Sequence, residues 1–241
     1  MKQFEALGPL VRGEGYRERF DYWLNTLLYL RSIAEMSCAW GEYNSAITKV
    51  KAEKDAAEQK RLGRQLALPA RQKLVRLVND IYDHLLGTVS SPGELGTVMN
   101  WNQHNLPGIL TKPGEELRKL IDAPLPADAQ PALRYRGPTR IIVPTKRTCL
   151  APGEPLNLKV IVLAEEPPRE AGFYWRKLGG RKFAQIPLRL VARGVYRVQL
   201  VPEEKEDFEY YVQVETAPGQ IVCYPATAPK VNHVVVNWSG L

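Results

Sequence analysis

The chain has 241 residues, 44% hydrophobic and 24% charged, the balance of a packed globular protein long enough for two ordinary domains. Its net charge of +7 is spread as 17 basic against 15 acidic side chains in residues 1–125 and 16 against 11 in residues 126–241. No block of basic residues stands out to track a phosphate backbone, so nucleic acid is not expected as a partner. No window approaches the roughly 18 apolar residues of a membrane span, and the first residues, "MKQFEALGPLVRGEGYRERF", hold no secretion signal. A periplasmic or extracellular location therefore requires an export signal upstream of this chain.

Up to about residue 121 the apolar spacing is helical. Phe20, Trp23, Leu24, Leu27, Leu30, Ala34, Trp40, Tyr43, Ile47 and Val50 recur mostly at threes and fours, which predicts a long first helix over 16–51 with that stripe as its packed face. The charged "KAEKDAAEQKRLGRQ" continues or restarts helix as a solvated face. Pro69 then either interrupts, because it lacks an amide donor and clashes with the preceding turn, or opens the next helix. Leu74, Leu77, Val78, Ile81, Leu85 and Leu86 form a second stripe. "SSPGELGTVMNW" sets Ser91 as cap, Pro92 at the first helical position and Glu94 as its capping-box partner, with a helix end expected near "MNWNQHN". A shorter helix follows "TKPGE". Residues 1–121 thus read as a helical subdomain, and residues 122–138, with four prolines and no period, as a linker stiffened by proline.

From 139 to 241 the period becomes two. "TRIIVP" reads as a strand, and "LNLKVIVL" sets Leu156, Leu158, Val160 and Val162 on one face. "AGFYWRKL" points Phe173 and Trp175 inward. "KFAQIPLRLV" continues as one strand whose proline suits an edge or a bulge. "GVYRVQLV" buries Tyr196, Val198 and Leu200, and "FEYYVQVET" buries Phe208, Tyr210, Val212 and Val214 with Tyr211 outward. Pro218-Gly219 turns the chain into "QIVCYP", and "NHVVVN" completes the set. Seven or eight short strands with regular turns predict an immunoglobulin-like antiparallel β-sandwich, with the Tyr210 hydroxyl bonded to backbone as in a tyrosine corner. The fold class expected is α plus all-β in two domains.

Chemistry is sparse. Glycoside hydrolysis needs two carboxylates facing across a sugar-sized gap, but Glu18 with Asp21 and Asp80 with Asp83 read as solvated helix faces. The acidic run Glu203, Glu204, Glu206 and Asp207 reads as a turn. His84, His104 and His233 are scattered, with no HExxH or CxxC, so neither a metal nor a cofactor is expected. Asp80 and His84, four apart on one helix, read as a surface hydrogen-bonded pair. Cys38 sits in the helical stripe and reads as packing; Cys149 and Cys223 leave a disulfide geometrically open.

Two groups remain as contact candidates. Trp101, Asn102, Gln103 and His104 combine an aromatic platform with amides, the mixture that binds sugar rings, or else form a helix end packed on the bundle. Tyr174, Arg176 and Tyr211 share an outward sheet face and form either a stacking surface for a glycan or partner, or a cover for the sheet.

The run "GFYWRKLGGRKFAQIPLRLVARGVYRVQLVPEEKEDFEYYVQVETAPGQIVCYPATAP" resembles the immunoglobulin-like or fibronectin-III-like modules at the C-termini of large bacterial polysaccharide-degrading enzymes. "GYRERFDYWLNTLLYLRSIAEMSCAWGEY" is similar to the helical segment that follows the catalytic barrel in some glycoside hydrolases. The resemblance implies a noncatalytic accessory region that buttresses or orients a catalytic domain absent from this chain. Its partners would be that domain of the same parent chain, or a polysaccharide. A carbohydrate-binding module and a freestanding protein-interaction adaptor are the alternatives.

Overall fold

The computed structural model describes residues 1–132, 134–202 and 206–238; Glu203 and Glu204 of the acidic run lie outside the described residues. The fold is α+β, with 48% helix and 24% strand in antiparallel and mixed sheets. The chain divides into a helical unit, Met1–Ala6, Asp21–Val89 and Gly93–Leu133, and a sheet unit, Leu7–Phe20, Ser90–Pro92 and Arg134–Leu241.

The helices are α1 (Lys2–Glu5), α2 (Glu14–Ala52), α3 (Ala56–Leu62), α4 (Leu68–Thr88), α5 (Pro92–Asn100) and α6 (Lys112–Ile121). Helix α2 meets the expected span, but its packed face differs from the expected stripe. The buried side chains are Ser32, Met36, Ala39, Tyr43, Ile47 and Val50. Trp23 is 58% exposed and Leu30 57% exposed, and Leu27 and Trp40 are also open. The apolar residues up to Ala34 and those from Trp40 on are not one stripe: the six-residue step between them turns the helix by about 240°, so Trp23, Leu27 and Leu30 face away from the side that its C-terminal half buries. That half packs on Leu74, Val78, Ile81 and Leu85 of α4, with Leu110, Leu117 and Ile121, in one core.

Pro69 stands at the start of α4, the second of its two expected roles, and Pro92 opens α5, while the helical backbone around Pro69, Pro107 and Pro113 continues through widened turns. Gly63–Ala67, Trp101–Asn105 and Pro107–Thr111 are π-helical turns, and each is followed two residues on by a proline: Pro69, Pro107 or Pro113. A proline lacks the N–H of the helical ladder and crowds the carbonyl four residues back. A widened turn takes up both defects without ending the helix. "MNWNQHN" is accordingly no helix end: helical backbone runs from Pro92 to Ile121.

The proline-rich stretch is pinned over its first ten or so residues. Arg71, 2% exposed on α4, donates through Nε to the Ala129 carbonyl at 2.8 Å and through Nη1 to the Leu110 carbonyl at 3.0 Å. Asn79 Oδ1 accepts from the Ala132 amide at 3.1 Å, and Gln72 donates to Asp128 at 2.8 Å. Gly114 leaves the space the guanidinium occupies, since a Cβ there would collide with it. Burial lowers the Arg71 pKa, partly opposed by Tyr43.

The sheet unit holds β1 (Arg140–Ile142), β2 (Cys149–Leu150), β3 (Leu156–Leu163), β4 (Glu170–Lys177), β5 (Ala184–Pro187), β6 (Arg189–Ala192), β7 (Val195–Leu200), β8 (Phe208–Ala217), β9 (Gln220–Tyr224) and β10 (His233–Asn237). One sheet has the order β1-β3-β7-β6. The other runs β2-β10-β8-β4-β5, with β9 also paired to β8. Strand β8 lies along β4 on one side and divides its other edge, Phe208–Tyr210 facing β10 and Val212–Ala217 facing β9. Leu156, Leu158, Val160, Val162, Tyr196, Val198 and Leu200 of one sheet and Phe173, Phe208, Tyr210, Val212 and Val214 of the other enter a single buried cluster, as the alternation predicts. Trp175 is half-buried against it, edge-on to Phe208.

Three details depart from expectation. "KFAQIPLRLV" is two strands, because the chain leaves one sheet after Pro187 and joins the other at Arg189, with Leu188 buried between them. β2 pairs β10 in parallel, so the strands are not all antiparallel. The Tyr210 hydroxyl is buried without a hydrogen-bond partner among the described residues, so it makes no tyrosine-corner bond.

Candidate functional site

Trp101 is held in the helical core. It is 7% exposed, its indole Nε1 donates to the Tyr29 hydroxyl at 2.9 Å, and its ring meets Tyr82 edge-on at 6.4 Å. Tyr82 donates in turn to Asn102 Oδ1 at 2.7 Å, and burial pushes its phenol up to about 12. The π-helical turn sets these residues: Trp101 points inward, while Asn102, Gln103 and His104 stay exposed. What this segment offers a ligand is a short polar edge, with the indole committed beneath it.

On the sheet, the outward face groups its members as the register requires. Tyr174 lies directly across from Tyr211, and Arg176 from Glu209. The two tyrosine rings stack at 4.8 Å with 5° between planes, and Phe183 meets Tyr211 edge-on at 5.0 Å. Tyr211 is thereby only 7% exposed although it faces away from the core, because both its neighbours lie on it. Gly172 admits this packing: a Cβ there would stand 2.8 Å from the Tyr174 ring. The Arg176 guanidinium sits 4.2 Å over Phe183 and donates to Glu209 at 2.6 Å. Burial alone raises the Glu209 carboxyl, but hydrogen bonds from Asn232 and Arg176 hold it below its ordinary value. The group is an aromatic stack with a paired cation, in which Tyr211 is buried and Tyr174, Arg176 and Phe183 are half-buried. Phe183 completes it; the sequence places that ring in the strand "KFAQIPLRLV" with no outward role, whereas it stands just ahead of β5 and folds onto Tyr211.

The remaining chemistry-bearing residues are scattered. His84 meets Asn25 Oδ1 at 3.1 Å through Nδ1, so Asn25 of α2 takes the place expected for Asp80. Burial lowers the His84 pKa, with Asp80 and Asp83 opposing. Asp80 lines an open groove with Glu35, Cys38, Lys73 and Arg76. Cys38 is exposed, not packed, and all three cysteines are free thiols; burial pushes that of Cys223 up. Glu18 is exposed on the first turns of α2, where its charge adds to the burial that raises the Tyr224 phenol.

One cluster went unread. His233 lies 5.5 Å from Tyr210 and 4.9 Å from Tyr224, ring to ring, and Lys146 sits 5.4 Å over Tyr224. Tyr210 Oη, Tyr224 Oη and His233 Nε2 are all buried without hydrogen-bond partners among the described residues. Burial lowers the His233 pKa and Lys146 lowers it further. The three residues come from β8, β9 and β10, and only the shared edge of β8 brings them together.

Among the described residues no group of His, Cys, Asp and Glu is arranged to hold a metal, and no helix is long and apolar enough to cross a membrane. No protein-family model matches the chain, and no match is found among curated proteins.

Proposed function

We propose that this chain is a noncatalytic accessory region of a carbohydrate-active enzyme, a helical piece followed by an immunoglobulin-like β-sandwich, which buttresses or orients a catalytic domain encoded with it. One observation carries the reading: the side chains best suited to chemistry or sugar stacking are committed to the fold. Trp101 bonds Tyr29, His84 meets Asn25, Arg176 bonds Glu209, and Tyr211 lies against Tyr174 and Phe183. A region whose rings and ions hold itself together acts through its surfaces. Two sheets contributing to one buried cluster support the sandwich reading, and the resemblance of the strand run to modules of polysaccharide-degrading enzymes supplies the carbohydrate context. Helix α2 adds an open apolar stripe, Trp23, Leu27 and Leu30, of the kind a neighbouring domain covers.

Two measurements test the proposal. The DNA upstream of the Met1 codon is expected to encode a glycosidase domain in the same frame. The purified chain is expected to hydrolyse none of a panel of polysaccharides; turnover that disappears with Asp80→Asn or Asp83→Asn defeats the proposal.

A further inference from the structure

The outer face of the β1-β3-β7-β6 sheet carries a row of cations. Lys159 of β3 lies directly across from Arg197 of β7, and Arg197 directly across from Arg189 of β6. Directly opposed residues share a face, so three positive side chains stand side by side on three adjacent strands. The neighbouring row is an amide pair, Asn157 across from Gln199. All five are exposed, and with Thr145 they line one open groove.

Like charges placed directly opposite one another weaken a sheet. Three other cations of this unit are compensated, Arg147 by Glu154, Arg176 by Glu209 and Lys177 by Glu206. Among the described residues no carboxylate forms an ion pair with Lys159, Arg189 or Arg197. The repulsion in the row is therefore left standing in the free chain, and an anion laid across the strands would remove it.

We infer that this face is a binding site for an acidic polysaccharide, the carboxylates of a uronate polymer seated on Lys159, Arg197 and Arg189 and its hydroxyls read by Asn157 and Gln199. Guanidinium forks donate two parallel hydrogen bonds to a carboxylate, and lysine adds a point charge. Strands lie about 4.8 Å apart, so successive cations are spaced on the scale of one sugar ring along a chain. The residues of the two rows are all polar and none is aromatic, so they offer no platform on which the bases of a single-stranded nucleic acid could stack. Choosing a glycan among polyanions rests on the carbohydrate-related reading above; the anion site itself rests only on the row.

Affinity electrophoresis of the whole chain through gels containing polygalacturonate, neutral pullulan or no polymer tests the site, alongside titration with a single-stranded DNA oligonucleotide of matched charge. Retardation by polygalacturonate and not by pullulan is expected, weakening as salt rises. Arg197→Gln and Arg189→Gln should each weaken it about tenfold or more. Relief of like-charge repulsion should leave both variants at least as resistant to urea as the parent, which separates lost binding from lost folding. No retardation, equal retardation of parent and variants, or tighter binding of DNA than of polygalacturonate overturns the inference. A hydrolysis assay on the same proteins keeps the two proposals apart: turnover defeats the accessory reading, while the anion site stands or falls on the arginine variants.

Discussion

In the helical unit the most deeply buried cation, Arg71, bonds two backbone carbonyls, and the buried Tyr43 hydroxyl donates to the Pro113 carbonyl at 2.8 Å. In the sheet unit Tyr210 and Tyr224 carry buried hydroxyls with no such partner among the described residues. The difference follows from the backbone each unit offers. The carbonyls used lie in the turn Pro107–Thr111, at the start of α6 and in the short turn Ala127–Ala129, where each can offer a lone pair to a side-chain donor. Paired strands use their carbonyls on one another, so an inward tyrosine in a tightly paired sheet finds few acceptors left. Polar burial therefore supports the helical unit and is tolerated in the sheet unit, where apolar packing carries the stability.

The sharpest way to break this comparison is to remove apolar volume from the sheet core. Phe208→Ala, at a ring 1% exposed, is expected to cost about 4 kcal/mol in urea denaturation, with faster amide exchange in β4, β8 and β10. Arg71→Met in the helical unit should cost about 3 kcal/mol, because two charge-assisted bonds vanish and two buried carbonyls lose a donor. Faster amide exchange over residues 123–132 is the local signature. A cost within error for Arg71→Met would undo the claim that polar bonds hold that unit.

A smaller effect is expected from pH. Both His84 and His233 have depressed pKa values in the folded chain, chiefly through burial. A histidine of this kind contributes stability that is fully present above its unfolded value of about 6.5 and is lost as pH falls below that point toward the folded pKa. Asp80 and Asp83 oppose the shift at His84, whereas Lys146 reinforces it at His233. His233→Gln should therefore flatten the acid-side fall in urea midpoint more than His84→Gln does, and the reverse ranking would contradict the electrostatics of the two sites. Smallest is Tyr210→Phe, which deletes a hydroxyl that has no partner and should leave stability unchanged or raise it by up to about 1 kcal/mol. A marked loss would show that the hydroxyl is bonded after all.

Much of the architecture was legible because local periodicity decides it. The alternation in "LNLKVIVL", "GVYRVQL" and "FEYYVQV" assigns inward residues that are the buried ones. Helix α2 was legible in length but not in packing, since the six-residue step from Ala34 to Trp40 puts Trp23 and Leu30 on a different side of the helix from Tyr43 and Ile47. The π-helical turns escaped because a proline predicts a break from its missing donor alone, whereas the chain has a second response, widening the turn. The switch at Leu188 looks like any edge proline until the partner strands are known. Site features were the least legible: Arg71 sits in an ordinary charged helix, and the stack of Tyr174, Tyr211 and Phe183 depends on register across a hairpin. The cationic row joins residues far apart in the chain, and no local pattern announces such a meeting.

The wide turn at Gly63–Ala67 also has a bearing on length. It amounts to one residue more than an α-helix would use, and each residue advances a helix by about 100° around its axis. A turn that wide absorbs the rotation of the extra residue, so excising one residue there and replacing Pro69 would restore an ordinary helix and leave Leu74, Val78, Ile81 and Leu85 in phase with α2. Relatives that have lost such a residue should keep the packing face of α4 and show a one-residue gap confined to the turn, which an alignment of sequences could detect without any structure.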